Sequence, residues 1–144
     1  MYLSPYILAA IIAWLVAQGL KYVIASIKGR KLNSLRQLYL SGSMPSAHSA
    51  SVIALLVVIG FKDGVDSAIF GLALLFAAVV MYDAIMVRRS SGEQGNALVE
   101  LMLALKQNSS KPFKVAKGHT PAEVVGGVIV GLIVGVVVYF ATTS

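Results

Sequence analysis

The chain has 144 residues, 58% of them hydrophobic and 12% charged, with a mean hydropathy of +0.83, too apolar to clothe a water-soluble domain. It contains no cysteine, which excludes disulfides, thiolate metal sites and cysteine nucleophiles. Its formal charge of +6 would suit a nucleic acid, but in so apolar a chain basic residues record membrane topology, and no nucleic-acid partner is expected.

A spanning helix needs about 20 mostly apolar residues, and four stretches qualify: residues 5–27, 45–61, 66–87 and 120–141. The first has no basic residue ahead of its apolar run, which exceeds the ~7–15 residues of a signal core, so it is expected to stay in the mature protein. Lys21 lies inside it, about one and a half turns before its basic end. An intramembrane lysine either marks a functional site or snorkels to the interface. Lys28 follows on the same helix face, about 10 Å along the axis, so both can point into one cavity. Lys28 is equally accounted for as a topology charge.

The second stretch is the shortest, because its unbroken apolar part covers only residues 51–61 and it must borrow small polar residues. It opens with Ser41-Gly-Ser-Met-Pro-Ser-Ala-His-Ser-Ala50, in which His48 stands where loop turns to helix and Ser46 reads as a helix cap. The third stretch carries Asp83 near one end, with Arg88 and Arg89 at its mouth. An acid there pairs with a basic residue and positions it, or ligates a metal. The arginine pair suits phosphate oxygens, or simply sets topology. Residues 91–118 read as a polar loop interrupted by an apolar run at 97–105, too short to span and suited to an interfacial or re-entrant helix.

The fourth stretch is preceded by Lys117-Gly-His-Thr-Pro-Ala-Glu123, where Thr120 to Glu123 is a capping box with proline at the first helical position. Glu123, four residues after His119, serves that cap, or accepts a hydrogen bond from the imidazole and orients it. Gly127, Gly131 and Gly135 then recur every four residues, a small-residue stripe that lets helices approach closely. It seats another span of the same chain or a second copy; a homodimer through this stripe is the expectation.

Ten of the twelve Lys and Arg residues fall after the first and third stretches, at Lys28, Arg30, Lys31, Arg36, Arg88, Arg89, Lys106, Lys111, Lys114 and Lys117. By the positive-inside rule both segments are cytoplasmic and both termini outside, as four crossings require. The two histidines, His48 and His119, then share the cytoplasmic face, each at a helix N-terminus whose unpaired N–H groups and dipole favour an anion. Either one alone is explained as an interfacial polar residue; the pair, with basic residues nearby, points to function.

Pro45-Ser46-Ala47-His48, His119 with Glu123, and the spacing from Lys21 to Lys28 resemble the three motifs of the type 2 phosphatidic acid phosphatase family, related to vanadium-dependent haloperoxidases. Gly-Ser-Met-Pro-Ser-Ala-His, Tyr82-Asp83-Ala84, Val87-Arg88-Arg89 and Gly118-His119-Thr120-Pro121 look specifically like its small divergent branch. The sequence departs from the wider family in several places. Alanine replaces glycine before His48, glutamate replaces aspartate at Glu123, and no Arg-Pro follows the Lys21 spacing. Arg89 precedes His119 by thirty residues where the family has six, so the loop must fold back to bring them together.

The apolar stretches predict an all-α, polytopic transmembrane bundle of about four spans plus a short interfacial helix, with residues 1–144 as a single membrane-embedded domain, where the family usually has six spans. The resemblance implies a membrane phosphatase acting on a lipid-linked or other phosphate monoester or pyrophosphate. His119 would be the nucleophile, His48 the acid and base, and Glu123 the orienting carboxylate. Lys21, Lys28, Ser46, Ala47, Arg88 and Arg89 would hold phosphate with Asp83 in support, and neither metal nor cofactor is required. The expected partners are a phosphorylated lipid and the membrane, with the plasma membrane as the expected location and the site toward the cytoplasm. The alternative is a noncatalytic binder or transporter of phosphorylated lipids, which keeps the basic cavity without the nucleophile geometry.

Overall fold

The computed structural model describes residues 3–27, 44–105 and 118–143. Lys28 and most of the basic loop residues lie outside them. The described residues are helical: α1 (Pro5–Ile27), α2 (Ala47–Asp63), α3 (Ala68–Tyr82), a π-helical turn (Asp83–Val87), α4 (Arg88–Ala104) and α5 (Pro121–Thr143). Chain segments without hydrogen-bonding water can satisfy their backbone only as helices or closed barrels, and this apolar chain takes the first course.

Packing is centred on α2, which contacts α1, α3 and α5. It is 17 residues long, begins at the Ser46 cap and stops at Gly64, whose φ of 89° suits glycine. Its small polar residues are used inward. Ser49 is fully buried, and the Ser51 hydroxyl donates to the Ala10 carbonyl of α1 at 3.0 Å. Three helical segments are long and apolar enough to cross a membrane by themselves: Pro5–Ile27, Ala68–Ala104 and Pro121–Thr143. The shorter α2 completes an all-helical membrane bundle from among them.

Small residues let α2 sit close to its neighbours. On α1, Ala9, Ala13 and Ala17 are wholly buried at four-residue intervals, and Lys21 continues the same row at 5% exposure. On α5, a Cβ added at Gly131 would lie 2.6 Å from the Ala50 carbonyl oxygen and 2.8 Å from the Ile53 Cβ. One added at Gly135 would lie 2.7 Å from the Val57 Cβ and 2.9 Å from the Ala54 carbonyl oxygen, and one at Gly127 would meet the Ser46 carbonyl. The glycine stripe therefore seats α2 within the chain. Of the two uses expected of Gly127, Gly131 and Gly135, a homodimer or the seating of another span, these contacts match the second. The largest fully buried side chains are only Val58, Ser46 and Ser49. Close backbone approach and dispersion hold the bundle, as is usual where lipid removes the hydrophobic drive between helices.

The third span does not end at the membrane surface. Ala68–Ala104 is one continuous 37-residue helical rod, about 55 Å long against a hydrocarbon core of ~30 Å. The short helix expected at residues 97–105 is present but starts at Arg88, so the polar stretch 90–96 is helical too. That stretch buries only Gly92 and needs no apolar face, since water surrounds it.

Candidate active site

Two helix N-termini are pinned side by side at one end of the bundle. Ser46 caps α2: its hydroxyl accepts from the Ser49 amide at 3.4 Å and from the Ser49 hydroxyl at 3.0 Å. Its own amide donates to the Glu123 carbonyl in the first turn of α5 at 2.9 Å. The α5 terminus closes as a reciprocal box, with the Thr120 amide donating to Glu123 Oε2 at 3.0 Å and the Glu123 amide to Thr120 Oγ1 at 3.4 Å. The same Oε2 lies 3.0 Å from His119 Nδ1. An ionised carboxylate only accepts, so in this contact Nδ1 is the donor and Nε2 is the ring nitrogen that does not face Glu123. Both side chains are largely shielded, at 13% and 15% exposure.

Across from them runs the end of the third span. Its π turn is closed by the Arg88 amide bonding to the Asp83 carbonyl, and the His119 amide donates to the Ala84 carbonyl at 3.0 Å. Gly118 rests directly on the backbone of Arg88 and Arg89, where a Cβ would collide. His119, thirty positions after Arg89, thus lies beside the end of the third span, with Gly118 on the Arg89 backbone.

His48, Asp83, Ala84, Arg88 and His119, walled by Val79 and Val80, line a cavity of about 310 Å³, within the size range of small-ligand sites. Lys21 is outside that lining, buried on the α1 side, where its charge acts on both Glu123 and His48. His48 is also within electrostatic reach of Arg88, His119 and Asp83.

The structure separates residues that sequence had grouped. Arg88 lines the cavity and donates through Nε to Asp83 Oδ2 at 2.6 Å, whereas Arg89 turns away to Glu93 at 3.2 Å. Both pairs are more than a third exposed, so they orient side chains more than they stabilise the fold. Asp83 thus holds an arginine, and the described residues contain no cluster of His, Cys, Asp or Glu that could hold a metal. Ser46, expected to hold phosphate, is wholly buried, with its amide on the Glu123 carbonyl and its hydroxyl oxygen accepting from Ser49 as the α2 cap. The first-turn amides of Ala47 and His48 remain without a partner among the described residues. Two participants escaped the sequence reading, the Ala84 carbonyl and the close contact at Gly118. Only the glycine directly before His119 offered a signal.

An all-helical membrane bundle with its two histidines on one cavity defines the class: an integral membrane protein with a histidine site at a bundle end. Residues 3–134 match the family described as the Divergent PAP2 family, and the chain belongs to it. It is 33% identical to the uncharacterized membrane protein YuiD of Bacillus subtilis (strain 168), over 93% of each chain. No solved structure matches.

Proposed function

We propose that this protein is a membrane phosphatase that cleaves a lipid-linked or other phosphate monoester or pyrophosphate at the cytoplasmic membrane face. The observation that carries the reading is the pairing of His119, oriented by Glu123 at 3.0 Å, with His48 across one cavity that also holds Arg88. His119 Nε2 attacks phosphorus as the P–O bond to the leaving group breaks, and His48 delivers a proton to the departing oxygen. Water then attacks the phosphohistidine, giving its proton to His48 and releasing inorganic phosphate and the regenerated His119. Imidazole changes protonation state near neutral pH, so the two rings can divide these tasks.

Arg88, Lys21 and the free amides of Ala47 and His48 supply positive potential for the phosphoryl oxygens. Such preorganised charge is worth most where water is scarce. The site's position at the bundle end suits a substrate whose headgroup enters the cavity while its tail stays in hydrocarbon. The positive-inside rule puts that end in the cytoplasm of the cell membrane, since Arg88 and Arg89 flank it.

The test is phosphate release by purified protein from a panel of lipid phosphates and diphosphates, beside His119→Ala. Turnover that vanishes in the variant supports the reading. Full activity in His119→Ala removes the nucleophile assignment. Tight lipid phosphate binding without turnover in folded wild type would favour the noncatalytic binder.

A further inference from the structure

The π turn sits in the middle of the 37-residue rod and at the wall of the cavity. Turns of this kind carry one residue more than the regular α ladder accommodates, which leaves a carbonyl without its usual donor, and they gather at functional sites. Here the Ala84 carbonyl accepts from the His119 amide at 3.0 Å. The wider turn also changes which side chains meet. Residues five apart on a regular α-helix point about 140° away from each other, yet Asp83 and Arg88 pair at 2.6 Å across this turn. Gly118 adds the third element, since its lack of a side chain lets the loop lie on the Arg88 and Arg89 backbone.

We propose that the π turn is a positioning device that sets the backbone of His119 against Arg88 through the Ala84 carbonyl and the close contact at Gly118. Ala84 and Gly118 are positioning residues, acting on the reaction only through His119 and Arg88. The inference rests on the reading of His119 as nucleophile for its kinetic consequence, but its structural content stands apart from catalysis. A single extra residue in the span is enough to build the joint. Removing it returns the span to α register and gives the Ala84 carbonyl back to its own helix.

Met86 is the residue to remove, because it is 53% exposed and lies in the turn without lining the cavity. Its deletion rotates α4 by about 100° and shifts it by about 1.5 Å. Among the described residues the helix contacts of α4 are chiefly with the π turn, so the rotation acts mainly on Arg88 and on the seat of Gly118 against the Arg88 and Arg89 backbone. Asp83 and Arg88 become four residues apart, a spacing that still allows an ion pair. The deletion therefore opens the joint at both the Ala84 carbonyl and the Gly118 contact. The companion Met86→Ala keeps the turn and serves as the control.

Two readouts are taken on both variants and on Gly118→Ala, which disturbs the same joint from the loop side. Amide hydrogen exchange at His119 should be slow in wild type and Met86→Ala and about tenfold or more faster in the deletion and in Gly118→Ala. Against a phosphate ester, kcat should fall about a hundredfold in those two, because a shift near 1 Å misplaces the nucleophile, and KM should stay within about threefold in Gly118→Ala, which leaves Arg88 in its own helix register. Equal His119 exchange in all four proteins overturns the inference, as does wild-type kcat in the deletion. Wild type without turnover refutes the phosphatase reading instead, and the exchange data still decide the joint.

Discussion

Gly131→Ala tests how the bundle is held. The new methyl would begin 2.6 Å from the Ala50 carbonyl oxygen and 2.8 Å from the Ile53 Cβ, neither of which is the end of a flexible side chain. Ordinary contact distances begin near 3.4 Å, so α5 and α2 must separate locally by several tenths of an ångström to about 1 Å. Overpacking of that kind costs about 1–3 kcal/mol. Replacing glycine by alanine in a helix returns up to ~1 kcal/mol of propensity, which masks part of the cost. Gly19→Ala provides the reference, because nothing lies within 4 Å of its added Cβ. Both substitutions gain the propensity contribution, so their difference isolates packing at about 1–3 kcal/mol. The assay is thermal unfolding in detergent, followed by loss of the monodisperse peak, with Gly131→Ala melting several degrees below Gly19→Ala. Equal melting temperatures would refute the placement of the stripe against α2. A change confined to self-association would return it to an interface between copies.

Glu123→Gln should keep the α5 cap, since glutamine satisfies a capping box, while lowering kcat about a hundredfold through loss of the charge that orients His119; a wild-type rate would assign Glu123 to capping alone. Arg88→Ala should weaken vanadate inhibition about tenfold or more and Arg89→Ala by less than about twofold, measured as inhibition constants, and the reverse order would move the anion site to Arg89. In this cysteine-free chain, Lys62→Cys should react with an impermeant thiol reagent from outside and Ser91→Cys only from inside, and the opposite pattern would invert the topology.

Hydropathy made α1, α3 and α5 legible because lipid demands an apolar run of fixed minimum length. It made α2 legible only in part, since a helix enclosed by three others can replace apolar residues with Ser49 and Ser51. The cap at Ser46 and the box at Glu123 could be read from residue type and spacing, because capping is local chemistry. The helix over residues 90–96 could not, since Gly92, Gly95 and polar neighbours look like a loop and the continuity comes from the span behind them. Nor could the π turn, whose residues Asp83 to Val87 carry no signature of their wider register. The spacing of Gly127, Gly131 and Gly135 announced a close helix neighbour, but the identity of that neighbour is a tertiary fact. Adjacent arginines on a helix face different directions, and only the fold shows that Arg88, paired with Asp83, lines the cavity while Arg89 pairs with Glu93.

The glycine stripe and the α2 carbonyls it meets work as the teeth of a ratchet. Sliding α5 along α2 by a single residue would bring a valine or leucine to the Gly131 and Gly135 contacts, where an added Cβ has no room. The next free notch lies four residues away, about 6 Å along the axis. Small axial slippage is therefore forbidden, and the two helix mouths that carry His48 and His119 are kept level by a backbone contact deep in the hydrocarbon, far from either imidazole.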